Sequence, residues 1–530
     1  MRRSALAAAL ALTFTLLAGC GGGGQSAGSA DPAEPVVVRY GISNAWDQLM
    51  PYNSVSGSNY ARIVYDKIYD RLAYVHADGT LSPRAAESWE SADGGYAVLF
   101  HLDPEAAFHD GAPVTAEHWV ETIRLMTDPA CPMLGRATFS VLTGTDENGA
   151  ALPGEEPGAE AVDAHTLKLI FKDPTAPEDF LLDKNRELYV LPTHLLEGVD
   201  PAEVLDLDLW DAPVGSGPCV FVEQLPGSRL TLAANEDYQL GAPGFDQLTI
   251  TVMDKANLLP AMISGDLDYY AFGGSVSAED RAAAEQNGLE VEEGTVPNTF
   301  FELMLNGERI PDARIRRAIE LALDKELLCQ QATGGQGSVT YSSISPASPY
   351  AGWAAEGEGR DLEEATALLE EAGYDGRTYV LACTSNRSGL AALIQQNLAE
   401  AGISLSIQTV DSATMFSGMA DGVYDMGIAS HTPGALPLWF VESRFAENNN
   451  IFHVQDLEPY AALIDAIQSA SSQEEKGPLV GELEALLAQE RPFIPLWFGR
   501  GLHVQSPTVE NIDYASSSFS NENVWEWVKH

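Results

Sequence analysis

Ala86–Met126 reads AESWESADGGYAVLFHLDPEAAFHDGAPVTAEHWVETIRLM, and in it a strand, a turn and a helix start follow in quick succession. Ala97–Leu102 is a short apolar run of β-compatible residues, entered through the tight-turn signal Asp93-Gly94-Gly95. Asp110-Gly111 marks a second turn. Pro113 then fixes the chain ahead of Thr115, a suitable N-cap, and Glu117 falls in the first helical turn, where the macrodipole favours an acid. Trp119, Val120, Ile123 and Met126 supply one buried helical face.

Further phrases stand outward from this stretch. Val214-Gly215-Ser216-Gly217-Pro218 bends into a strand at Val220–Glu223, and no Gly-Lys-Ser/Thr follows it to make a phosphate loop. Asn235-Glu236-Asp237-Tyr238 leads to Phe245-Asp246. Asp312–Leu328 is predicted as one helix, with Ile315, Ala318, Ile319, Ala322 and Leu323 on one face. Glu371-Ala372-Gly373-Tyr374, Arg491-Pro492-Phe493-Ile494-Pro495-Leu496 and the terminal Trp527-Val528-Lys529-His530 complete the set. Together with AESWE, FHL and FHDGAPVTAEHW, these phrases resemble the family 5 extracytoplasmic solute-binding proteins, the receptors of peptide-type ABC importers. The resemblance covers nearly the whole chain after its first 35 residues.

The remaining body is read in order. Val36–Ile42 is a strand, and Tyr60–Tyr74 a helix turning into a strand. The Gly- and Glu-rich segment Thr143–Ala161 is expected to be an exposed loop, followed by an alternating strand over Asp163–Phe171. Thr249–Met253 and Asp268–Phe272 are strands around a helix ending at Ser264-Gly265; Tyr379–Cys383 and Ile403–Ile407 are strands around the helix Leu390–Ala401, stopped by Gly402. Asp425–Ala429 and Phe300–Asn306 are two more strands. Strand–helix–strand units in both halves predict two α/β lobes. With the resemblance, the expected fold is a two-lobed clamshell like the periplasmic binding proteins, with an extra subdomain in the N-terminal half. Residues 36–66, 193–303 and 500–530 would form the first lobe, 67–192 the added subdomain and 304–499 the second lobe.

The N-terminus has an address of its own. Arg2-Arg3, the apolar run Ala5–Leu17 and Leu17-Ala18-Gly19-Cys20 read as a lipoprotein signal peptide ending in a lipobox. Cleavage would leave Cys20 as the lipid-bearing residue and 21–35, rich in Gly, Ser and Ala, as a flexible tether. The expected location is extracytoplasmic or periplasmic, lipid-anchored at the cell membrane. The 530 residues carry 29 Lys and Arg against 77 Asp and Glu, a net charge of −48, which argues against nucleic acid as a partner. Cys131, Cys219, Cys329 and Cys383 lie far apart with no metal or redox spacing and are expected to be buried free thiols.

No nucleophile elbow and no His-Glu-x-x-His occurs, and His101, His109 and His118 are not at metal-ligand spacing. The chain is therefore expected to bind, not to catalyse, with no cofactor and no metal; an extracellular hydrolase is the competing class. The resemblance implies a monomer that closes over an extended oligopeptide and presents it to the permease of an importer whose separate ATPase subunits use the ATP. It places the ligand near Asn44 and Trp46, Asn306, the segment Ser430-His431-Thr432, and Trp497 and Phe498. One departure stands out: peptide-binding relatives carry an Asp shortly after this strand, where it pairs with the peptide's α-amino group. This chain has Ser430-His431-Thr432-Pro433-Gly434-Ala435-Leu436-Pro437, with no acid. A non-peptide solute such as a metal chelate is the alternative ligand.

Overall fold

A single mixed sheet runs through the molecule. The computed structural model describes residues 34–530 except 47, 53–58, 77–79, 134–135, 185–187, 273–277, 336, 432–443, 446–449, 471 and 514–522. Two long strands, Glu290–Leu305 and Phe493–Gln505, run antiparallel at the centre of the sheet, from Glu290 opposite Gln505 to Met304 opposite Phe493. Their register is irregular between Glu293 and Thr299, where no single ladder holds both halves.

On one side of that irregularity Phe493–Gln505 pairs with Tyr269–Phe272, and the sheet continues through Val37–Ile42, Gln247–Val252, Arg229–Ala234 and Cys219–Leu225. On the other side Glu290–Leu305 pairs with Met426–His431, followed by Thr378–Cys383 and Ser404–Thr409. Each half is a small α/β lobe, and the strands common to both hold Val36–His530 together as one unit. The expected two-lobed clamshell fold is the one observed.

The cores follow the same division. One cluster gathers Tyr40, Leu248, Tyr269 and Trp527, while two others gather Leu303, Ile428 and Trp497, and Phe300, Phe452 and Phe498. The N-terminal half adds a four-stranded antiparallel sheet in the order Ala86–Ala92, Ala97–Leu102, Thr166–Ile170, Ala159–Asp163. It has no separate core: Phe100 and Trp119 belong to the cluster that holds Tyr40. A buried ionic knot ties it in, with Arg71 donating to Asp66 (3.0 Å) and Arg84 paired with Asp70, all four at most 1% exposed. Each charge has a partner, which is what makes burial tolerable.

The opening stretch forms as its sequence predicts. Asp93 and Gly94 turn with φ of 51° and 71°, and Gly111 turns at 87°. The helix Ala116–Thr127 begins after Thr115, whose backbone N–H donates to His118 Nδ1 (3.2 Å), so a histidine completes a capping box that usually uses Glu or Gln. Trp119, Val120, Ile123 and Met126 are all buried. Three expectations need correction. Asp312–Leu328 is two helices, Ala313–Ala322 and Lys325–Thr333, because Asp324 caps a new start by accepting from the Leu327 N–H (2.9 Å). The loop expected over Thr143–Ala161 already contains the start of the strand Ala159–Asp163. The strand expected to end at Ala429 runs on to His431, so Ser430 and His431 are strand residues and not loop. Cys131, Cys219, Cys329 and Cys383 are buried and unbridged, as expected. Among the described residues no helix is long and apolar enough to cross a membrane.

Candidate ligand site at the strand crossing

Strand direction locates the site. Val37–Ile42 runs parallel to Tyr269–Phe272 and Gln247–Val252, and the register of Tyr269–Phe272 against Gln505 to Leu502 points all three carboxyl ends toward the crossing, the irregular stretch of the two long strands between Glu293 and Thr299. In the second lobe Met426–His431 runs from Met426, opposite Leu305, to His431, opposite Phe300, and so also ends toward the crossing. Thr378–Cys383 and Ser404–Thr409 run parallel to it. Both lobes thus aim the carboxyl ends of their parallel strands at the same place, where open α/β sheets hold ligands.

The row nearest the crossing in the second lobe is well defined. Ser430 stands opposite Phe301, which stands opposite Trp497; His431 stands opposite Phe300, which stands opposite Phe498. Alternation puts the first trio on one face and the second on the other. Trp497 stacks on Phe301 (5.1 Å between centroids, 23°), and Phe300 packs tilted against Phe498 (5.1 Å, 41°) and edge-on against His431 (5.2 Å, 74°). Trp497 and Phe498 are both 0% exposed, so they are core beneath the row. The Trp497 Nε1–H has no hydrogen-bond partner among the described residues.

Charges flank the row. Arg387, just beyond the carboxyl end of Thr378–Cys383, donates to Ile428 O (2.7 Å) and Ser430 Oγ (2.5 Å) and lies over the Phe301 ring (5.7 Å). Burial lowers its pKa, and the Glu302 charge opposes that shift. Glu302 is fully buried and closely paired with Arg444, 142 residues away. Burial raises the Glu302 pKa while Arg444 pulls it down. His431 Nδ1 lies 3.7 Å from Glu302 Oε1, yet burial and then the Arg444 charge hold the imidazole well below its usual range. The approach thus sets an imidazole held toward its neutral form beside a buried acid that Arg444 already holds.

The other expected residues distribute differently. Asn44 is exposed just past the crossing-side end of Val37–Ile42. Trp46, beside it, is 4% exposed and packs in the first lobe's core, with Nε1 donating to Gln224 Oε1 (3.4 Å). Asn306 is not brought to this row: it lies six positions along the strand from Phe300, about 20 Å away. There its Oδ1 accepts from the backbone N–H groups of Glu308 (3.0 Å) and Arg309 (3.1 Å), which shapes the turn. Thr432 and Cys20 lie outside the described residues. Sequence reasoning passed over Glu302, Arg387 and Arg444; the available signal was a lone acid inside the apolar run Phe300–Leu305, which demands a buried cation.

A cavity of about 240 Å³ lies elsewhere in the second lobe, lined by Arg317, Glu320, Tyr341 and Glu484 among others. Several of its charges are already engaged: Glu320 with Lys325 (2.8 Å) and Arg491 (2.6 Å), Arg317 with Glu364 (2.7 Å). Among the described residues no group of His, Cys, Asp and Glu is arranged to hold a metal ion.

Comparison with known proteins agrees with this architecture. The family model for the middle part of bacterial extracellular solute-binding proteins, family 5, matches residues 80–451. The oligopeptide-binding protein AppA of Bacillus subtilis is 25% identical over 402 residues, covering 70% of this chain and 68% of that protein. Among solved structures, the ABC transporter substrate-binding protein CtaP of Listeria monocytogenes superposes with a TM-score of 0.81 at 19% identity, covering 93% of this chain and 100% of that one. NikA of Brucella suis, in complex with Fe(III)-EDTA, gives 0.80 at 20% identity and covers 94% and 100%. Relatives of this kind are substrate-binding proteins that work outside the cytoplasm with ABC transporters. The chain belongs to the family 5 bacterial extracellular solute-binding proteins.

Proposed function

We propose that this protein is a lipid-anchored, monomeric receptor that captures oligopeptides between its lobes by closure and delivers them unchanged to the permease of an ABC importer. The observation that carries this reading is the open edge at the site. Thr378–Cys383 pairs with Met426–His431 only at Met426 and Gly427, so the strand's outer side has no neighbouring strand from Ile428 onward among the described residues. An extended peptide could add there as a further strand, its backbone recognised and its side chains tolerated. Arg387 already occupies the Ile428 carbonyl, which leaves Ser430 and His431 as the positions for that pairing. In this reading the exposed Asn44 meets the ligand from the other lobe's strand end, the buried Trp46 supports it from the core beside it, and the lobes divide near residues 303 and 500. Cys20 carries the lipid.

The amine end of the ligand is the point of departure from peptide-binding relatives. The buried acid beside Ser430 and His431 is Glu302, and Arg444 already holds it. A buried ammonium without a carboxylate is unfavourable, so a free α-amino group is not required at this position. Calorimetric titration with one peptide in free and N-acetylated forms should give affinities within about tenfold, or about 1.4 kcal/mol. A hundredfold loss on acetylation would place an amine anchor elsewhere in this acidic chain. If neither form binds, a metal chelate or other small solute replaces the peptide. For the anchor, Cys20→Ala should abolish lipid labelling; normal lipidation of that variant would remove the lipoprotein reading.

A further inference from the structure

Lys476 and Asp179 stand 297 residues apart and belong to differently cored parts of the molecule. Asp179 is in the helix Pro177–Asp183, whose Phe180 and Leu181 are buried in the cluster that holds Tyr40. Lys476 is in the first turn of the helix Gln473–Glu490, whose Val480, Leu483 and Leu487 are buried with Phe300 and Phe498. The Lys476 ammonium donates to Asp179 Oδ2 in a close ion pair, with side-chain exposures of 8% and 28%. Both partners are firmly seated. The Trp353 ring lies so close over Gly477 that a Cβ there would meet Cζ2 at 2.3 Å. Tyr350, buried in the second lobe, senses the same carboxylate: burial first and then the Asp179 charge raise its pKa.

We propose that Lys476 and Asp179 form a latch between the lobes that biases the hinge toward the approach seen here. The crossing strands connect the lobes whether they are near or apart, whereas this pair exists only when the two helices meet. On separation both charges return to water, so the contact stabilises one state of the hinge and not the other. Such a differential contact is what shifts a two-state equilibrium. The latch rests on the closure reading above but not on the identity of the ligand.

Small-angle scattering of the ligand-free, full-length protein tests it. Asp179→Asn and Lys476→Met should each raise the radius of gyration, corresponding to a shift of about two- to fivefold toward the open form. The double variant should open no further than either single one, because one contact is lost in all three. Raising salt should weaken the pair in the wild type only, so the wild type should expand relative to Asp179→Asn, while screening of the overall negative charge acts on both proteins alike. Asp179 is the more exposed partner, so its variant keeps the test available if Lys476→Met does not fold. Wild-type dimensions in both variants, or additive expansion in the double variant, would overturn the latch. No ligand is used, so an error about the peptide leaves this result standing.

Discussion

The titration of single residues at the crossing has a defined sign. His503 sits in the long strand Phe493–Gln505, where its Nδ1 shares a 2.6 Å hydrogen bond with the Tyr269 hydroxyl and its ring stacks on Tyr269. Burial pushes its pKa down to about 4, and His109 is pushed to about 4 in the same way. A histidine depressed in the folded state takes up its proton first when unfolded, so its stabilising contribution is complete above about pH 6.5 and declines as pH falls toward 4. Each such group contributes a slope of about 1.4 kcal/mol per pH unit within that window. Urea unfolding of His503→Gln between pH 7 and 5 should therefore show a shallower loss of stability than the wild type. Parallel curves for the two proteins would mean that His503 does not titrate on unfolding. The ion pair between Glu302 and Arg444 could not be read from the chain in the same way: a lone acid in an apolar strand signals that a partner must exist, but 142 intervening residues hide which one.

At the scale of elements, what was legible depended on how local the deciding physics is. Turns at Asp93-Gly94 and Asp110-Gly111, the cap at Thr115 and the buried stripe of Ala116–Thr127 are fixed within a few residues, and all formed as read. The break at Leu323-Asp324 was missed because the apolar period continues across it, while the competing cap by Asp324 interrupts the backbone. The strand Glu290–Leu305 was recognised only from Phe300 onward; its first half, with Glu292, Glu293 and Pro297, has no apolar alternation and is held by tertiary pairing to Phe493–Gln505. The Val214–Pro218 phrase shows the reverse case, a local signal whose reason is tertiary. Gly215 lies against the end of the helix Asn59–Ile68, where an added Cβ would stand 1.8 Å from the Ile68 carbonyl oxygen. Gly215→Ala should therefore destabilise by more than about 2 kcal/mol, as overpacking against an unyielding backbone does. A melting temperature equal to that of the wild type would show that this turn can move away.

For the whole molecule, pairings spanning hundreds of residues decide the function. The strand ends that converge on the crossing come from near residues 42, 252, 272, 383, 409 and 431, and no local pattern announces that they meet. The family phrases supplied the two-lobed fold in advance; the ligand remained open because those phrases secure the scaffold and not the pocket. Of the expected site, Ser430, His431, Trp497 and Phe498 are gathered in one row, Asn44 and Trp46 stand at the opposing strand end, and Asn306 shapes a distant turn. The proposed receptor would take up peptides and return them intact. Native mass spectrometry of the purified protein mixed with a short-peptide library tests it most directly. One intact peptide per chain, released without change in mass on gentle denaturation, is the expected result; no peptide adduct, or the appearance of cleaved products, would contradict peptide capture.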